Sequence, residues 1–424
     1  MRRNLSDDTL VVFLSDCHIG GSDGHDIFES PDDLASLFDS VDSHSGPVEL
    51  VLAGDFFDFL RIAELPAGQN RASATISRPE YRELFAALRR VAAGENRTVT
   101  YLPGNHDAEA WWNREVRAEL ESQGLVHDFA LSYTASFESE PDHVVYCEHG
   151  NEFDPANTIT DYDDSLDTPL GHHVVTDVLP RLPGGWVTEG GNLRDMDRVF
   201  PLTSIPQWLA GRMFYELVTQ VVRWLLLPLL VAYIAFETIH YVVGAGGGAL
   251  DFAVELAYDV ALLLVVFGVF LLAAGRVMRS RRFREVEDPG LHTDEAVEIR
   301  NRLERGEAPP LAEATSSEIR VFVSGHTHAP SLTHFGEGGV LVNSGCWLRQ
   351  LQPVPTRLGA PPVFISRFVQ THVRVHMAPA GLEVGLWEHP RPARQRLLLA
   401  ERLAVLGRLP SEPGEGEGPR VRAV

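Results

Sequence analysis

The chain of 424 residues contains no lysine; its 36 fixed cations are all arginines, set against 59 acidic residues and a formal charge of −23. A nucleic-acid binder needs a basic face to neutralise phosphates, so this acidity disfavours polyanion binding as the main role. The missing lysine reads as a compositional bias of genome or cytoplasm, and phosphate recognition by arginine forks would have to rest on particular arginines. Cysteine is also scarce. Cys17, Cys147 and Cys346 are odd in number and widely spaced, which excludes a disulfide framework, argues against a thiolate zinc site, and favours a reducing compartment. No apolar stretch of signal-peptide type precedes the first strand-like run, and no internal repeat is visible.

What the chain does contain is a series of five short motifs: Asp16-Cys17-His18, Gly54-Asp55-Phe56-Phe57-Asp58, Gly104-Asn105-His106-Asp107, Glu148-His149-Gly150 and Gly325-His326-Thr327-His328. Each follows an apolar run that reads as a β-strand, at 10–14, 48–53, 98–102, 143–147 and 318–323. Residues 31–41, 79–93 and 108–122 have helical spacing. Alternating strands and helices predict an α/β layered domain, with ligands collecting at the carboxyl ends of the strands, where the motifs stand. Carboxylate, imidazole and amide groups at several strand ends are a donor set suited to a pair of divalent ions.

In these motifs the chain resembles the calcineurin-like metallophosphoesterase superfamily, over residues 8–155 and 318–388. The resemblance implies a two-sheet β-sandwich flanked by helices, a four-layer fold, and a dimetal site. By it, Asp16 and His18 bind the first metal, Asp55 bridges both, Asn105, His149 and His326 serve the second, and His328 returns to the first. His106 is implied to protonate the leaving group. Asp107 joins it among the catalytic residues, to fix the loop or orient the ring, and Asp58 is expected to hydrogen-bond a ligating imidazole. The implied cofactors are two divalent ions, manganese foremost with iron or zinc as alternatives. Such ions stand about 3.5–4 Å apart and share a water that, as hydroxide, attacks phosphorus in line. The second and fourth motifs, the latter extended through Asn151-Glu152-Phe153-Asp154, most resemble the branch of UDP-2,3-diacylglucosamine pyrophosphatases, which act on a lipid-linked pyrophosphate at the cytoplasmic membrane face. That branch commonly carries arginine where this chain has His106, whereas the general phosphodiesterase pattern has histidine. Asn343 to Trp347 resemble the strand and turn that close the fold.

Other residues keep two readings. Arg61 reaches a substrate phosphate or forms a surface salt bridge. Trp111 and Trp112 wall the cleft or pack in the core. His172 and His173 approach substrate or face solvent. His25, His44, His127, His143 and His334 read as surface or packing residues.

The resemblance leaves out the middle of the chain. After a first phosphoesterase part at 1–150, residues 151–212 are rich in Asp, Gly and Pro and read as a cap. Residues 213–284 hold two apolar stretches, 224–243 and 252–275, joined by a glycine-rich turn at 244–248. Each approaches the roughly 20 residues needed to cross a bilayer, so the segment reads as an inserted transmembrane helical hairpin. Arg212 and Arg223 precede it and Arg276, Arg279, Arg281, Arg282 and Arg284 follow, which places both ends in the cytoplasm. Glu237, Asp251, Glu255 and Asp259 lie toward the turn, the last three on one helix face. They keep open a pair of buried helices in a soluble dimer. The phosphoesterase part resumes at 285–390, with a charged helix at 294–305 and strands at 340–343, 363–368 and 373–377. Residues 391–424 read as an amphipathic helix at 392–407 and a disordered tail from 411.

The expectation is thus a two-span membrane protein with a cytoplasmic catalytic domain that hydrolyses a phosphoester or pyrophosphate. The favoured substrate is a phosphorylated or nucleotide-linked lipid. The expected partners are the bilayer and a second copy of the chain, not nucleic acid. The alternatives are an anchored phosphatase or phosphodiesterase for soluble nucleotides, and a non-catalytic membrane scaffold, which should have lost ligands.

Overall fold

The computed structural model describes residues 2–21, 26–62, 65–178, 181, 193–244, 248–278, 295–312, 315–336, 338–356, 359–393, 397–409 and 418–423. The first part runs β1 (Arg2–Leu5), β2 (Leu10–Leu14), α1 (Pro31–Asp42), β3 (Val48–Ala53), α2 (Arg71–Ile76), α3 (Arg82–Ala93), β4 (Arg97–Leu102), α4 (Glu109–Trp112), α5 (Arg114–Ser122), β5 (Asp128–Phe129), β6 (Tyr133–Phe137) and β7 (Glu140–Cys147). Then come α6 (Leu170–His173), α7 (Ile205–Val221), α8 (Leu227–Gly244) and α9 (Ala249–Met278). The last part is α10 (Glu295–Glu304), β8 (Ile319–Ser324), β9 (Ser331–Phe335), β10 (Gly339–Asn343), β11 (Trp347–Val354), β12 (Val363–Ala378), β13 (Gly381–Glu388), α11 (Leu399–Ala404) and β14 (Gly418–Ala423).

Two mixed sheets face each other. One has the order β1-β6-β7-β8-β10-β9; the other has β14-β13-β12-β2-β3-β4-β5, with β11 paired to β12. The parallel strand β2 is apolar throughout, and β3 is so apart from Glu49, because both faces of these strands are covered. Val11, Phe13, Val51 and Ala53 point between the sheets, where they meet Ala135, Val145, Val321 and Val342. Their alternates Val12, Leu14, Leu50 and Leu52 meet Leu37, Phe38, Leu84 and Leu88 of α1 and α3. On the far side, Tyr146, Phe322 and Leu341 pack against Ile299 and Leu303 of α10. The result is four layers, helix-sheet-sheet-helix, as the sequence implied. Each such fully buried apolar side chain contributes about 1.5–3 kcal/mol relative to exposure.

The structure departs from the sequence reading at several elements. The helix expected over 108–122 is two, α4 and α5, broken at Asn113, whose side chain accepts from Glu115 N and caps α5. The strands expected at 363–368 and 373–377 are one 16-residue strand, β12. The intervening Gln370, Thr371 and His372, polar and read as a break, are fully buried. Helix α11 covers six residues of the expected 392–407. Residues 418–423, assigned to a disordered tail from composition, pair antiparallel with β13; backbone pairing with a strand edge requires little of the side chains. His25, Arg279, Arg281, Arg282, Arg284 and 411–417 lie outside the described residues.

The apolar segment begins earlier than 213. Helix α7 starts at Ile205, and its Phe214, Tyr215 and Val218 are buried against Val354, Val363 and Ile365 of the β11–β12 ribbon. Only the helices beyond it leave the domain. Two helical stretches, Leu202–Gly244 and Ala249–Arg276, are long and apolar enough to cross a membrane, with 6% and 0% of their most apolar windows buried. Helices α8 and α9 touch through a stacked Tyr241–Phe252 pair, centroids 4.4 Å apart, and a Tyr233–Asp259 hydrogen bond of 2.7 Å.

Candidate metal centre

Loops at the carboxyl ends of β2, β3 and β4 in one sheet, and of β7 and β8 in the other, converge on one point. Backbone bonds tie them together: Asp16 N donates to Gly54 O, His18 N to Asp55 O, Gly325 N to His149 O, and Trp347 N to Asp16 O. The aiming of the side chains requires unusual backbone. Among the described residues, six non-glycine residues have positive φ, and five of them are Asp16, His18, Asp55, His326 and His328, with φ between 51° and 64°. That region is disfavoured for residues with a Cβ, and its clustering at one site marks a functional constraint. Glycine is needed where the loops touch. A Cβ on Gly54 would lie 2.3 Å from His149 Nδ1, and one on Gly104 would lie 2.2 Å from Asp55 Oδ1.

The predicted donors meet as follows. Asp16, His18 and His328 form one group, Asp16, Asp55 and His149 another, and His18, Asp55 and His106 a third, with the donor atoms of each within 4.8 Å of one another. His18 Nε2 lies 3.1 Å from His328 Nε2 and 3.7 Å from Asp55 Oδ2. His328 Nε2 is 3.2 Å from Asp16 Oδ1, and His149 Nε2 is 3.3 Å from Asp55 Oδ2. Nδ1 of His149 meets Ala53 O at 3.0 Å, which turns Nε2 to the site. Asp16 Oδ1, Asn105 Oδ1 and His149 Nε2 are buried with no hydrogen-bond partner. Buried polar atoms are rarely left so, and three on one centre are what a cation would satisfy. Nε2 of His326 is engaged by Asp154 Oδ2 at 3.1 Å, leaving Nδ1 as its free donor, with the ring 5.4 Å from that of His149.

The electrostatics agree with a cationic occupant. Burial would raise the Asp55 carboxyl, yet His149 and His106 hold it well below the usual range. Burial would lower His149, yet Asp55 pushes it well above the usual imidazole range. The buried carboxylates thus call for positive charge at this centre, a demand that two divalent ions would meet. The donors are carboxylate, imidazole and amide; the residues present fit two divalent ions, with Asp55 shared by two of the three groups.

His106 lines the cleft, and its Nδ1 is held at 3.0 Å by Asp58 Oδ1. Asp58 Oδ2 lies 3.4 Å from His18 Nδ1, so this carboxylate orients a ligand and the histidine beside it. Asp107 does not stand where the catalytic assignment put it. Its fully buried carboxylate accepts from Gly104 N, Asp55 N, Phe57 N and Tyr101 Oη, which fixes the loop and leaves nothing for the His106 ring. Arg61 is neither on the surface nor at the cleft. It is buried between Asp58 and Asp197, at 2.8 Å from each.

A cleft of about 140 Å³ opens beside Asn105 and His106, walled by Trp112, Arg71, Tyr162 and His172. Trp112 and His172 therefore take their cleft-facing readings, whereas Trp111 bonds Asp163 through Nε1 at 3.0 Å and His173 faces solvent beside Asp177. The sequence reading missed Asp154 as a partner of His326, although it ends the fourth motif, and missed Asp197 and Glu295, which no motif marks. Cys17, Cys147 and Cys346 are free and fully buried, with thiols pushed up by burial.

Residues 9–200 match the family model described as calcineurin-like phosphoesterase. That match and the geometry of the site support a metal-dependent phosphoester hydrolase. No curated protein matches the chain. Six chains of solved structures match. One is a dimetal phosphatase from Danio rerio, 10% identical, with 90% of this chain and 96% of that chain covered and a TM-score of 0.33, a likeness that carries no argument here.

Proposed function

We propose that this protein is a membrane-anchored dimetal phosphoesterase whose substrate is a lipid-linked phosphate or pyrophosphate. The observation that carries the anchoring is the pair α8 and α9, apolar over spanning length and almost wholly unburied, rooted through α7 on the catalytic domain. The apolar surface left open there, with Trp224, Phe236, Val265 and Phe270 more than half exposed, far exceeds what a soluble monomer leaves uncovered. Arg212, Arg223 and Arg276 stand at the domain end of these helices and favour that end on the cytoplasmic side.

In the chemistry proposed, Asp16, His18, Asp55 and His328 hold one divalent ion and Asp55, Asn105, His149 and His326 the other. When bound, the ions supply Lewis-acid polarisation of the phosphoryl oxygens and acidify water toward neutral pH. Manganese is favoured by resemblance. His106, with Nδ1 held by Asp58, presents Nε2 to the cleft and gives its proton to the leaving oxygen. Burial would lower its affinity for that proton, but Asp58 and Asp55 raise it. Asp107 and the glycines hold the loops still, and the cleft receives a head group, leaving acyl chains at the apolar helices.

The test is hydrolysis by detergent-purified protein of bis-p-nitrophenyl phosphate, of a soluble nucleotide diester and of a lipid pyrophosphate, with and without Mn²⁺. The reading predicts metal-dependent turnover of all and preference for the lipid. Preference for the soluble nucleotide would favour the anchored soluble-substrate enzyme. No turnover and no bound metal would favour the scaffold.

A further inference from the structure

The segment ahead of α7 reaches the support of His106 through a buried chain of charges. Asp197, just ahead of α7, accepts from Arg61 Nη1 at 2.8 Å. Arg61 Nε donates to Asp58 Oδ2 at 2.8 Å, and Asp58 Oδ1 meets His106 Nδ1 at 3.0 Å. The side chains of Asp58, Arg61 and Asp197 are 0%, 8% and 10% exposed. The segment carrying Asp197 is pinned elsewhere too. Arg198 pairs with Glu29 at 2.8 Å, Arg349 of β11 shares that carboxylate at 2.9 Å, and Phe200 N donates to Leu351 O at 2.9 Å.

We propose that Asp197 is a positioning residue for His106, lent to the active site by the segment that leads into the apolar helices. A guanidinium bonded at one end only can swing about its long stem; bonded at both ends its planar fork has one orientation. Asp197 holds the far end, which keeps Nε on Asp58, which in turn keeps the His106 ring aimed into the cleft. Truncating Asp197 also leaves the Nη1 end of the buried Arg61 guanidinium without its acceptor, which relaxes by moving. The segment ahead of α7 is then part of the catalytic apparatus as well as the route to the apolar helices. The inference rests on the hydrolase reading and adds the residue by which that segment acts on it.

The test is a double-mutant cycle on bis-p-nitrophenyl phosphate with full-length protein at saturating Mn²⁺: Asp197→Ala, His106→Ala and both together. If Asp197 acts through His106, Asp197→Ala lowers kcat about tenfold or more with little change in KM, yet costs less than about twofold once His106 is gone. Asp197→Asn, which still accepts from Arg61, recovers most of the loss. Should Asp197→Ala fail to fold, Asp197→Ser carries the same cycle. Equal losses in both backgrounds, or no loss in either, overturn the inference while leaving the hydrolase standing. Absence of metal-dependent turnover by the unaltered protein would overturn the hydrolase reading, and this inference with it.

Discussion

Single residues here answer for the site in ways that can be measured. Gly104 has room for a hydrogen only, because a Cβ would overlap the carboxylate and amide of Asp55. Gly104→Ala should therefore displace Asp55 and lower metal-dependent turnover at least about 100-fold, with metal content falling in parallel. Asp58 touches both His18 and His106, so Asp58→Asn should cost about 10–100-fold in metal affinity or kcat; a loss under twofold in both would contradict its role. Glu148 gives a pH signature. Burial first, then Glu152, pushes its carboxyl up to about 8. The folded chain then keeps a proton that the unfolded chain releases above about pH 4, so this group's contribution to stability falls as pH rises through that window. Glu148→Gln, which stays neutral, should gain thermal stability relative to the unaltered protein between pH 5 and 8, by up to a few kcal/mol. A difference independent of pH would refute the assignment.

At the scale of elements, what was legible followed from local pattern. The strands β2, β3, β4, β7 and β8 are largely apolar runs, each followed within three residues by a motif carrying Asp, Asn or His, and each stands within three residues of its expected place. The site followed from those ends, since a motif at a strand terminus fixes where its side chains emerge. What escaped depended on contacts distant in sequence. Asp197 and Glu295 gain their positions from packing of the segment ahead of α7 and of α10, and β12 runs unbroken through Gln370, Thr371 and His372 because its neighbours bury them. Of the two roles open to Asp107, fixing the loop or orienting His106, the carboxylate takes the first, since four donors draw it away from the ring. The helices α8 and α9 make their own prediction. The native cysteines are fully buried, so a fluorophore attached at Val265→Cys reports on α9 alone. In vesicles it should be quenched by lipids carrying a spin label in the acyl chain, whereas one at Glu121→Cys on α5 should not. Equal quenching at the two positions would contradict insertion.

For the whole molecule, the account is of a sandwich whose two sheets deliver candidate ligands from opposite sides to one centre, with two long apolar helices, α8 and α9, joined to the domain through α7. The two sheets must pack for Asp55, from β3, to meet His149, from β7; the metal centre thus joins the halves of the fold, and binding should stabilise the folded chain by mass action. The measurement that tests this most directly is the metal content of the purified full-length protein, by elemental analysis, beside its Asp55→Ala variant, with bis-p-nitrophenyl phosphate hydrolysis followed in the same samples. The account predicts two divalent ions per chain, turnover that vanishes on chelation and returns with Mn²⁺, and loss of both ions and turnover in the variant. Full turnover after chelation, or a variant that keeps both ions and its activity, would contradict it.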